Sequence, residues 1–478
     1  MQQPTASTYE ITAFGAIPDG RTMNTEAIQR AIDAAADAGG GTVLVPPGRY
    51  LMGTIFLKSY VTLNLAPGST LLGSQDLADY PETVRRGHRP RPGRHLVIAE
   101  GARHVTICGG GIIDGQGRAF WKPEVDEHHW IEAKSVRPSP MIQITDCEDV
   151  LVEDIHLTNP AGWTLHLQDS ERALVHHVTI DNDLRTPNSD GIDVTGCRDV
   201  MISDCYISTC DDAVVLKSSS GPVERVTVTN CVIRTNCAAL KLGTGGTYHD
   251  MRQVTFSNCA IYESHRGLAI YTVEGGVMED IVASNIVFDS NVPVILPLPI
   301  HIDCRRRSAE SKLGKIRNVS ISNFIARTQG RILMTCEDGE MLENIALRDI
   351  QMVYPYIEDP RPIAADARST QFSDKSPEAR VATAAIVADN IRNLSIDGVQ
   401  ITWPGDDVPD KWQIAVKREN GNFERLHCPT YDDPRPADFH VLWGRHLQGG
   451  RLHLPLASAS SETANKVDLR NSDITVVN

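Results

Sequence analysis

Three aspartates are the side chains of this sequence best suited to acid and base chemistry. Asp190 lies in the run Thr186-Pro-Asn-Ser-Asp-Gly-Ile-Asp193, and Asp211 and Asp212 are adjacent in Cys210-Asp-Asp-Ala-Val-Val-Leu-Lys-Ser218. A single aspartate in a turn usually bonds its own backbone. Carboxylates held close together repel, so one keeps its proton to a higher pH than the others. A protonated acid beside an ionised base is what glycoside hydrolysis requires, so these residues are candidate catalytic groups if the fold brings them together.

A repeated segment predicts the fold that could do so. Its clearest copies end at Ile155, Val178, Cys205, Cys231, Cys259 and Ile286, separated by 23, 27, 26, 28 and 27 positions, and weaker copies occur at 319–324, 345–350 and 394–399. Each copy alternates apolar and polar residues, as a strand with one buried face does. Short strands and turns without a helical pattern between them predict the coils of a parallel β-helix, about ten in all.

Registering the copies predicts which side chains share a face. The strand after each copy aligns on Leu165, Ile192, Val214, Leu240 and Leu268. The next residue faces outward, which gives the column His166, Asp193, Val215, Lys241 and Ala269. Two places further lie Gln168, Thr195, Lys217, Gly243 and Tyr271, and two places before the anchor lie Trp163, Asp190, Asp212, Ala238 and Arg266. Asp190 is therefore predicted one coil from the Asp211–Asp212 pair, on an outer wall.

The remaining segments predict the domain organisation. Residues 1–41 would form an N-terminal segment with a capping α-helix at 25–37, in which Asn24 is the N-cap, Ile28, Ile32 and Ala35 form the apolar stripe, and Gly39 to Gly41 end the helix. Residues 42–402 would form the β-helix catalytic domain. Residues 403–478 would form C-terminal loops and last strands, and the stretches 355–390 and 403–466, rich in Pro, Asp and Arg, are predicted to be mostly long loops.

Composition limits the partners. The chain has 46 Lys and Arg against 61 Asp and Glu, a formal net charge of −15, which argues against nucleic acid, although a few cations in one cleft can still bind an acidic substrate. No apolar run is long enough for a membrane span. We expect a carbohydrate substrate and a monomer or weak homo-oligomer.

Cys205, Cys231 and Cys259 are predicted to stack as small buried hydrophobes, and we expect neither a metal nor a cofactor.

The combined motifs resemble those of glycoside hydrolase family 28, the polygalacturonases and their relatives. Thr186 to Asp193 resembles the family's Asn-Thr-Asp motif, with Asn188 in the first position, and Cys210 to Ser218 resembles its Gly-Asp-Asp motif. Gly110 to Gly117, Trp163 to Leu167 and Phe14 to Gly20 are also similar to family segments. The resemblance implies a single right-handed parallel β-helix and inverting hydrolysis. Asp211 would be the general acid, and Asp190 and Asp212 would orient and deprotonate water.

Two departures from the family pattern concern substrate binding. The Gly-His-Gly motif falls at Cys237 to Ala239, which places Ala238 at its histidine, and the Arg-Ile-Lys motif falls at Ala269 to Tyr271. The cations that hold a galacturonate carboxylate are therefore missing. We expect action on rhamnogalacturonan-, xylogalacturonan- or rhamnose-type pectin rather than on plain homogalacturonan. Candidate substrate contacts are Asn188, Lys217, Lys241, His265, Arg266 and Tyr271.

Other interpretations remain open at this stage. Lys241 and Arg266 either replace the missing anion site or pair with Asp190 and Asp212. Trp121 and Trp130 in the irregular stretch 116–140 could stack on sugar, and that stretch could close one end of the groove and make the enzyme exo-acting. The stretch Pro299 to Arg307 is a possible substrate wall but is more simply a solvated basic turn.

A polysaccharide lyase or epimerase, with a Lys base or bound calcium, and a non-catalytic glycan binder are the alternative functions. The first residues lack the pattern of a signal peptide, and a secreted or periplasmic mature chain is preferred to a cytoplasmic one.

Overall fold

A computed structural model describes most of the chain. The described residues are 7–85, 91–124, 131–244, 246–290, 297–328, 330–353, 378–379, 382, 384–402, 413–417, 423–427, 440–454 and 467–477. They divide into two compact units. The first lies within 7–124 and 131–232, and the second begins at residue 233. The two units are described separately below.

The first unit is built almost entirely of short strands. Its elements are β1 (Thr8–Glu10), β2 (Asp19–Met23), α1 (Thr25–Asp37), β3 (Gly41–Val45), β4 (Gly48–Met52), β5 (Ile55–Leu57), β6 (Val61–Leu65), β7 (Ser69–Gly73), β8 (Thr83–Arg85), β9 (Arg91–Gly93), β10 (Val97–Glu100), β11 (Arg103–Cys108), β12 (Ile112–Asp114), β13 (Ile142–Thr145), β14 (Glu148–Glu153), β15 (His156–Thr158), β16 (Leu165–Gln168), β17 (Glu171–His176), β18 (Thr179–Asp181), β19 (Ile192–Thr195), β20 (Arg198–Ser203), β21 (Tyr206–Thr209), β22 (Val214–Lys217) and β23 (Val223–Thr229), with 3₁₀ turns at Ile11–Phe14, Leu77–Asp79 and Gly117–Phe120.

These strands form three parallel ladders that pass through successive coils. One ladder runs β5-β10-β13-β16-β19-β22. The second runs β1-β3-β6-β11-β14-β17-β20-β23, and the third runs β2-β4-β7-β12-β15-β18-β21. Each strand thus pairs with its equivalent one coil away, which is the architecture of a parallel β-helix. The all-β fold predicted from the repeat is confirmed.

The second unit continues this type of strand pairing. From the boundary strand onward its elements are β24 (Val232–Thr235), β25 (Ala238–Gly243), β26 (Met251–Tyr262), β27 (Arg266–Thr272), β28 (Val277–Ser290), β29 (Leu298–Cys304), β30 (Lys315–Thr328), β31 (Ile332–Cys336), β32 (Leu342–Val353), β33 (Ala384–Asp397), β34 (Gln400–Thr402), β35 (Gln413–Lys417), β36 (Phe423–His427), β37 (His440–His453), β38 (Val467–Arg470) and β39 (Asp473–Val477). Parallel ladders run β25-β27-β29-β31-β33-β37 and β26-β28-β30-β32. Only β35 and β36 pair antiparallel among the described strands of this unit.

The register confirms the repeat as it was read from sequence. In the first unit Val150, Ala173, Val200 and Val226 are partners in adjacent coils. In the second unit the same position is held by Val254, Ile281, Val319, Ile345 and Leu394. All of these side chains are buried, because the alternation of the strand turns every second residue toward the interior of the coil.

A left-handed backbone position recurs in each copy and explains its polar fifth residue. The φ angles there are positive at Asp154, His177, Asp204 and Asn230 in the first unit and at Asn258, Asn285, Asn323, Asp349 and Gly398 in the second. Asn, Asp and Gly tolerate this conformation far better than other residues do. A bend between two strands of the first unit, or in most cases within one long strand of the second, is therefore encoded locally.

The predicted capping helix is present as α1. Ile28, Ile32 and Ala35 form its buried face, and the helix ends before Gly39, whose φ is 88°. Asn24 occupies the N-cap position, but its side chain does not bond the helix backbone. Instead the Asn24 amide joins the backbone of Ile17 and Thr22. No helix of the described chain is long and apolar enough to cross a membrane.

The prediction of long loops toward the C terminus is wrong for several segments. Residues 384–390 belong to β33, which pairs in parallel with β37 at 440–453, and β35 and β36 also lie within the stretch 403–466. Leu442, Trp443, Leu447 and Leu452 of β37 are buried, and these apolar residues are too widely interrupted by polar ones to show the repeat clearly. The stretches 355–377 and 403–412 lie outside the described residues. The division of the chain at residues 41 and 402 stays a prediction.

The left-handed position allows a test of stability. Asp349 is an exposed residue with a φ of 52°. The substitution Asp349→Val should lower the free energy of unfolding by about 1–3 kcal/mol, because β-branched residues are strained in this conformation. Asp349→Asn is the matched control and should leave stability nearly unchanged. Urea denaturation followed by circular dichroism gives both values, and equal stability of the two variants would contradict the explanation.

Candidate active site

In the first unit, backbone hydrogen bonds place Asp190 and Asp212 at equivalent bends of adjacent coils. The amide N of Thr164 donates to the Asp190 carbonyl oxygen at 2.9 Å, and the amide N of Gly191 donates to the Asp212 carbonyl oxygen at 2.8 Å. Downstream, Ile192 of β19 pairs with Val214 of β22. The register predicted for these residues is confirmed by this pairing, and the three aspartates lie within two neighbouring coils.

Small side chains bring the two bends together. A Cβ on Gly191 would lie 2.5 Å from the carbonyl oxygen of Ala213, so only glycine fits directly after Asp190. The Ser189 hydroxyl accepts a hydrogen bond from the amide N of Cys210 at 3.1 Å and lies 3.0 Å from the Thr209 hydroxyl. Both hydroxyls are buried. These contacts fix the backbone on which the carboxylates stand.

Lys217 joins two of the carboxylates on this face. Its ammonium Nζ donates to Asp190 Oδ2 at 3.0 Å and also to Asp193 Oδ1. The same Nζ lies 3.6 Å from the centre of the Trp163 ring. The cation is therefore held by two carboxylates and an aromatic face, and this arrangement does not support the substrate-binding role predicted for Lys217.

The polar column lies on the face opposite the apolar interior, yet it is buried. Asp190 is 3% exposed and Asp212 is 4% exposed. Asp193, His166, Thr195 and Lys217 are buried as well. The outward-facing column predicted from the register is thus not exposed to solvent at these residues, because the side chains of this face bond and cover one another. Asp211 is less buried than its neighbour Asp212.

Burial and neighbouring charge act in opposite directions on this cluster. Burial, together with the negative charges of Asp193, Asp211 and Asp212, raises the pKa of Asp190 well above its ordinary value, although the charge of Lys217 opposes the shift. Burial alone would lower the pKa of Lys217, but the charges of Asp190, Asp193 and Asp212 raise it above its ordinary value. Lys217 therefore stays protonated at neutral pH.

Asp211 is oriented by a second chain of hydrogen bonds. Asn188 Nδ2 donates to Asp211 Oδ2 at 3.3 Å, and Arg137 Nη2 donates to Asn188 Oδ1 at 3.0 Å. The other oxygen of Asp211, Oδ1, accepts from the amide N of Asp212 at 3.0 Å. Asn188, in the left-handed conformation, thus contacts the carboxylate that the family resemblance names as the acid. Asn188 is itself exposed.

In the second unit, the remaining candidate residues lie on β27 and its neighbour β25. Lys241 of β25 is the register partner of Ala269, and Arg266 of β27 is the partner of Ala238. Lys241 Nζ is 5.9 Å from the centre of the Tyr271 ring. His265 precedes β27 and its carbonyl accepts from the amide N of Leu298 at 2.7 Å. Lys241, Arg266, His265 and Tyr271 are all nearly buried.

Tyr271 belongs to a buried polar network that sequence reasoning missed. Its hydroxyl lies 2.7 Å from His301 Nδ1. Burial, together with the charges of Arg266, Arg331 and Arg305, lowers the pKa of His301 well below its ordinary value, so this ring is neutral at pH 7. The solvated basic turn expected at 299–307 is wrong for its first half, since Leu298–Cys304 is the buried strand β29.

Two alanines and a tyrosine occupy the positions that the family resemblance assigns to a histidine, an arginine and a lysine. Ala238 and Ala269 form a buried cluster with Tyr271. A carboxylate cannot be held by methyl groups, so this packing leaves no anion site at those positions. Trp121 is buried, which argues against sugar stacking there, and Trp130 with His128 and His129 lies outside the described residues.

Two residues of the first unit join the candidate site without having been selected from sequence. Asp193 is the last residue of the Thr186 to Asp193 motif, which also contains Asp190. The sequence placed Asp193 in the outward-facing column but gave it no role in the site. Arg137 gave no signal, because it contacts Asn188 from 51 residues away. The contact between Arg137 and Asn188 depends on the path that the chain takes just before β13.

Two family models and several known proteins match this chain. Residues 43–362 match the sequence model described as glycosyl hydrolases family 28, and residues 9–72 match one described as rhamnogalacturonase A/epimerase, pectate lyase-like. A probable polygalacturonase of Vitis vinifera is 34% identical over 224 residues, which cover 45% of this chain and 45% of the relative. An exo-poly-alpha-D-galacturonosidase of Dickeya chrysanthemi is 29% identical over 258 residues, covering 44% of this chain and 42% of the relative. The chain thus spans less than half the length of these two relatives.

A solved structure supports the fold and its handedness. The hyperthermoactive exopolygalacturonase from Thermotoga maritima superposes with a TM-score of 0.60 at 24% identity, covering 74% of this chain and 88% of that one. At this identity the likeness concerns the fold alone. The fold is the right-handed parallel β-helix.

The Tyr271–His301 contact can be tested through stability. Tyr271→Phe removes the only hydroxyl of this pair and leaves a buried ring nitrogen without it, so the free energy of unfolding should fall by about 1–3 kcal/mol. Tyr60→Phe, which removes an exposed hydroxyl, is the control and should change little. Chemical denaturation of both variants decides the matter, and equal small effects would mean that the contact contributes nothing.

Proposed function

Because the chain belongs to glycosyl hydrolases family 28, we propose that it hydrolyses glycosidic bonds in a pectic polysaccharide or oligosaccharide. The observation that carries this proposal is the placement of three carboxylates, Asp190, Asp211 and Asp212, on adjacent coils of the first unit. A structural cluster has no need to bury and crowd like charges, which is costly unless the charges do chemistry. Pectin is an extracellular polymer, so we also propose that the protein works outside the cytoplasm.

The proposed mechanism is a single displacement with inversion. Asp211, the more accessible carboxyl, protonates the leaving glycosidic oxygen, and Asn188 orients it through its 3.3 Å hydrogen bond. Asp190 and Asp212 hold a water molecule and remove its proton as the water attacks the opposite face of the sugar. The aspartates are on adjacent bends, which supports this division of roles.

The proposed substrate is a pectic chain other than plain homogalacturonan. Support comes from the packed cluster of Ala238, Ala269 and Tyr271, which occupies the positions of the family's carboxylate-binding cations. Rhamnogalacturonan, xylogalacturonan or a terminal rhamnose are the candidate substrates. Lys241 and Arg266 lie on β25 and β27 as register partners of Ala269 and Ala238, and they are proposed to contact an acidic sugar. His265 and Tyr271 are each only 1% exposed, which argues against their touching the sugar directly.

We further propose that the protein acts from the chain end. Support comes from the relative of Dickeya chrysanthemi, which is named as an exo-acting enzyme. An exo mode predicts small products from the first minutes of reaction, whereas an endo mode predicts a ladder of oligosaccharides.

The general-acid assignment predicts the effect of one substitution. Asp211→Asn keeps the acceptor for Asn188 but cannot protonate the leaving group, so kcat should fall by about 10²–10⁴-fold. Asp199→Asn, which alters a partly exposed aspartate paired with Arg225 at 2.6 Å, is the control and should retain full activity. Reducing-end release on the best substrate measures both. Full turnover by Asp211→Asn would contradict the general-acid role of Asp211, whereas absence of turnover by the wild type on all glycans tested would favour a protein that binds glycans without cleaving them.

Substrate and stereochemistry are tested together with purified pectic fractions. We expect release from rhamnogalacturonan or xylogalacturonan fractions to exceed release from homogalacturonan. Proton NMR during the first minutes should show a product of inverted anomeric configuration. Cleavage of homogalacturonan alone would overturn the proposed specificity, and an unsaturated, ultraviolet-absorbing product would indicate a lyase instead.

A further inference from the structure

Lys217 is the central charged group of the face that carries Asp190. Strand β22 presents its ammonium between two side chains of the neighbouring coil: Asp190 Oδ2 at 3.0 Å, and Asp193 Oδ1. Trp163, one coil further along the same ladder, covers the ammonium from a third direction. Lys217 and both aspartates are almost completely buried. A cation enclosed in this way has little surface with which to bind a sugar.

We propose that Lys217 and Asp193 are positioning residues that fix the orientation and charge of the Asp190 carboxylate and thereby set the pH range in which the site activates water. The proposal rests on the hydrolytic function proposed above, because the role of Lys217 is exerted through Asp190. It gives Lys217 a task different from substrate binding, and it gives Asp193, which has no assigned role in the chemistry, a defined one.

The charges facing Asp190 explain why such a device is needed. Asp193 lies on β19, the strand that follows Asp190, Asp211 and Asp212 lie at the bend before β22, and Lys217 lies at the end of β22. His166 on β16 is a further titratable side chain of this face, and its ring nitrogens bond Gln143 and Thr195. Burial and the three aspartates favour a protonated Asp190, whereas Lys217 favours the ionised form. Loss of Lys217 would therefore favour the protonated form of Asp190 further.

Asp193 has two opposing effects on Asp190. Its carboxylate accepts a hydrogen bond from the Lys217 ammonium, which holds the cation beside Asp190. Its negative charge also repels that of Asp190. Replacing Asp193 by Asn keeps an oxygen acceptor for Lys217 while removing the repulsion. Replacing Lys217 by Met removes the attraction. The two substitutions therefore change the charge at Asp190 in opposite directions.

The experiment compares pH profiles of kcat/KM for wild type, Lys217→Met, Asp193→Asn and the double variant. Activity rises with pH as the base ionises, so the acidic limb reports the ionisation of the Asp190–Asp212 pair. Lys217→Met should move this limb to higher pH by about 1–3 units. Asp193→Asn should move it to lower pH, and the double variant should lie between the two.

A surface ion pair provides the matched control. Lys58 Nζ lies 2.8 Å from Asp33 and both side chains are partly exposed, so Lys58→Met and Asp33→Asn should leave the acidic limb in place. Circular dichroism and thermal unfolding check that each variant is folded. If Lys217→Met does not fold, the shift caused by Asp193→Asn alone still decides the proposal, since a merely structural residue would lower activity without moving the limb.

A second readout separates this inference from the proposed function. Carboxyl-¹³C aspartate NMR of the substrate-free protein follows the titration of Asp190, whose signal is identified by its loss in Asp190→Asn. The pH midpoint of the Asp190 titration should rise in Lys217→Met and fall in Asp193→Asn. These shifts are expected even if no pectic fraction is cleaved, and in that case only the proposed function fails. An unmoved midpoint, or shifts in the same direction in both variants, would overturn the inference.

Discussion

Hydrogen bonds between equivalent strands of successive coils are the constraint on which the first unit depends. They hold Leu165, Ile192 and Val214 in one row, and every residue before and after these anchors is then fixed relative to its counterparts in the next coil. Because the side chains of a strand alternate between two faces, a shift of one residue would exchange the apolar interior with the polar face. Asp190 and Asp212 are neighbours for this reason alone, although 22 positions separate them in sequence.

The burial of charge on the polar face has a cost that the local contacts offset. Removing carboxylates from water is unfavourable unless each is paired and hydrogen-bonded. Lys217 is paired with Asp190 and Asp193, and Asn188 donates to Asp211. The surrounding hydroxyls and Gly191 hold the backbone so that these pairs can form. The result is a rigid group of acids, which is the arrangement that differing protonation states require.

The same geometry bears on the alternative chemistries. A lyase needs a base that can lose its proton near the working pH. The raised pKa of Lys217 makes this residue a poor base, and its contacts with two carboxylates leave it unavailable to a sugar. The apolar packing of Ala238 and Ala269 against Tyr271 bears on specificity rather than on chemistry, since it removes an anion site without disturbing the aspartates of the first unit.

The sequence by itself determined the fold class, the capping helix and the alignment of coils, because the strand alternation and the Asn, Asp and Gly bends are local properties repeated along the chain. It also selected Asp190, Asp211 and Asp212 and their placement on neighbouring coils. It did not reveal that this face is buried, that Lys217 joins Asp190 to Asp193, or that Arg137 contacts Asn188. The loop expected at 440–453 was likewise a strand. These features were decided only by the tertiary structure, because they depend on which side chains cover one another across coils, and no period in the sequence records that.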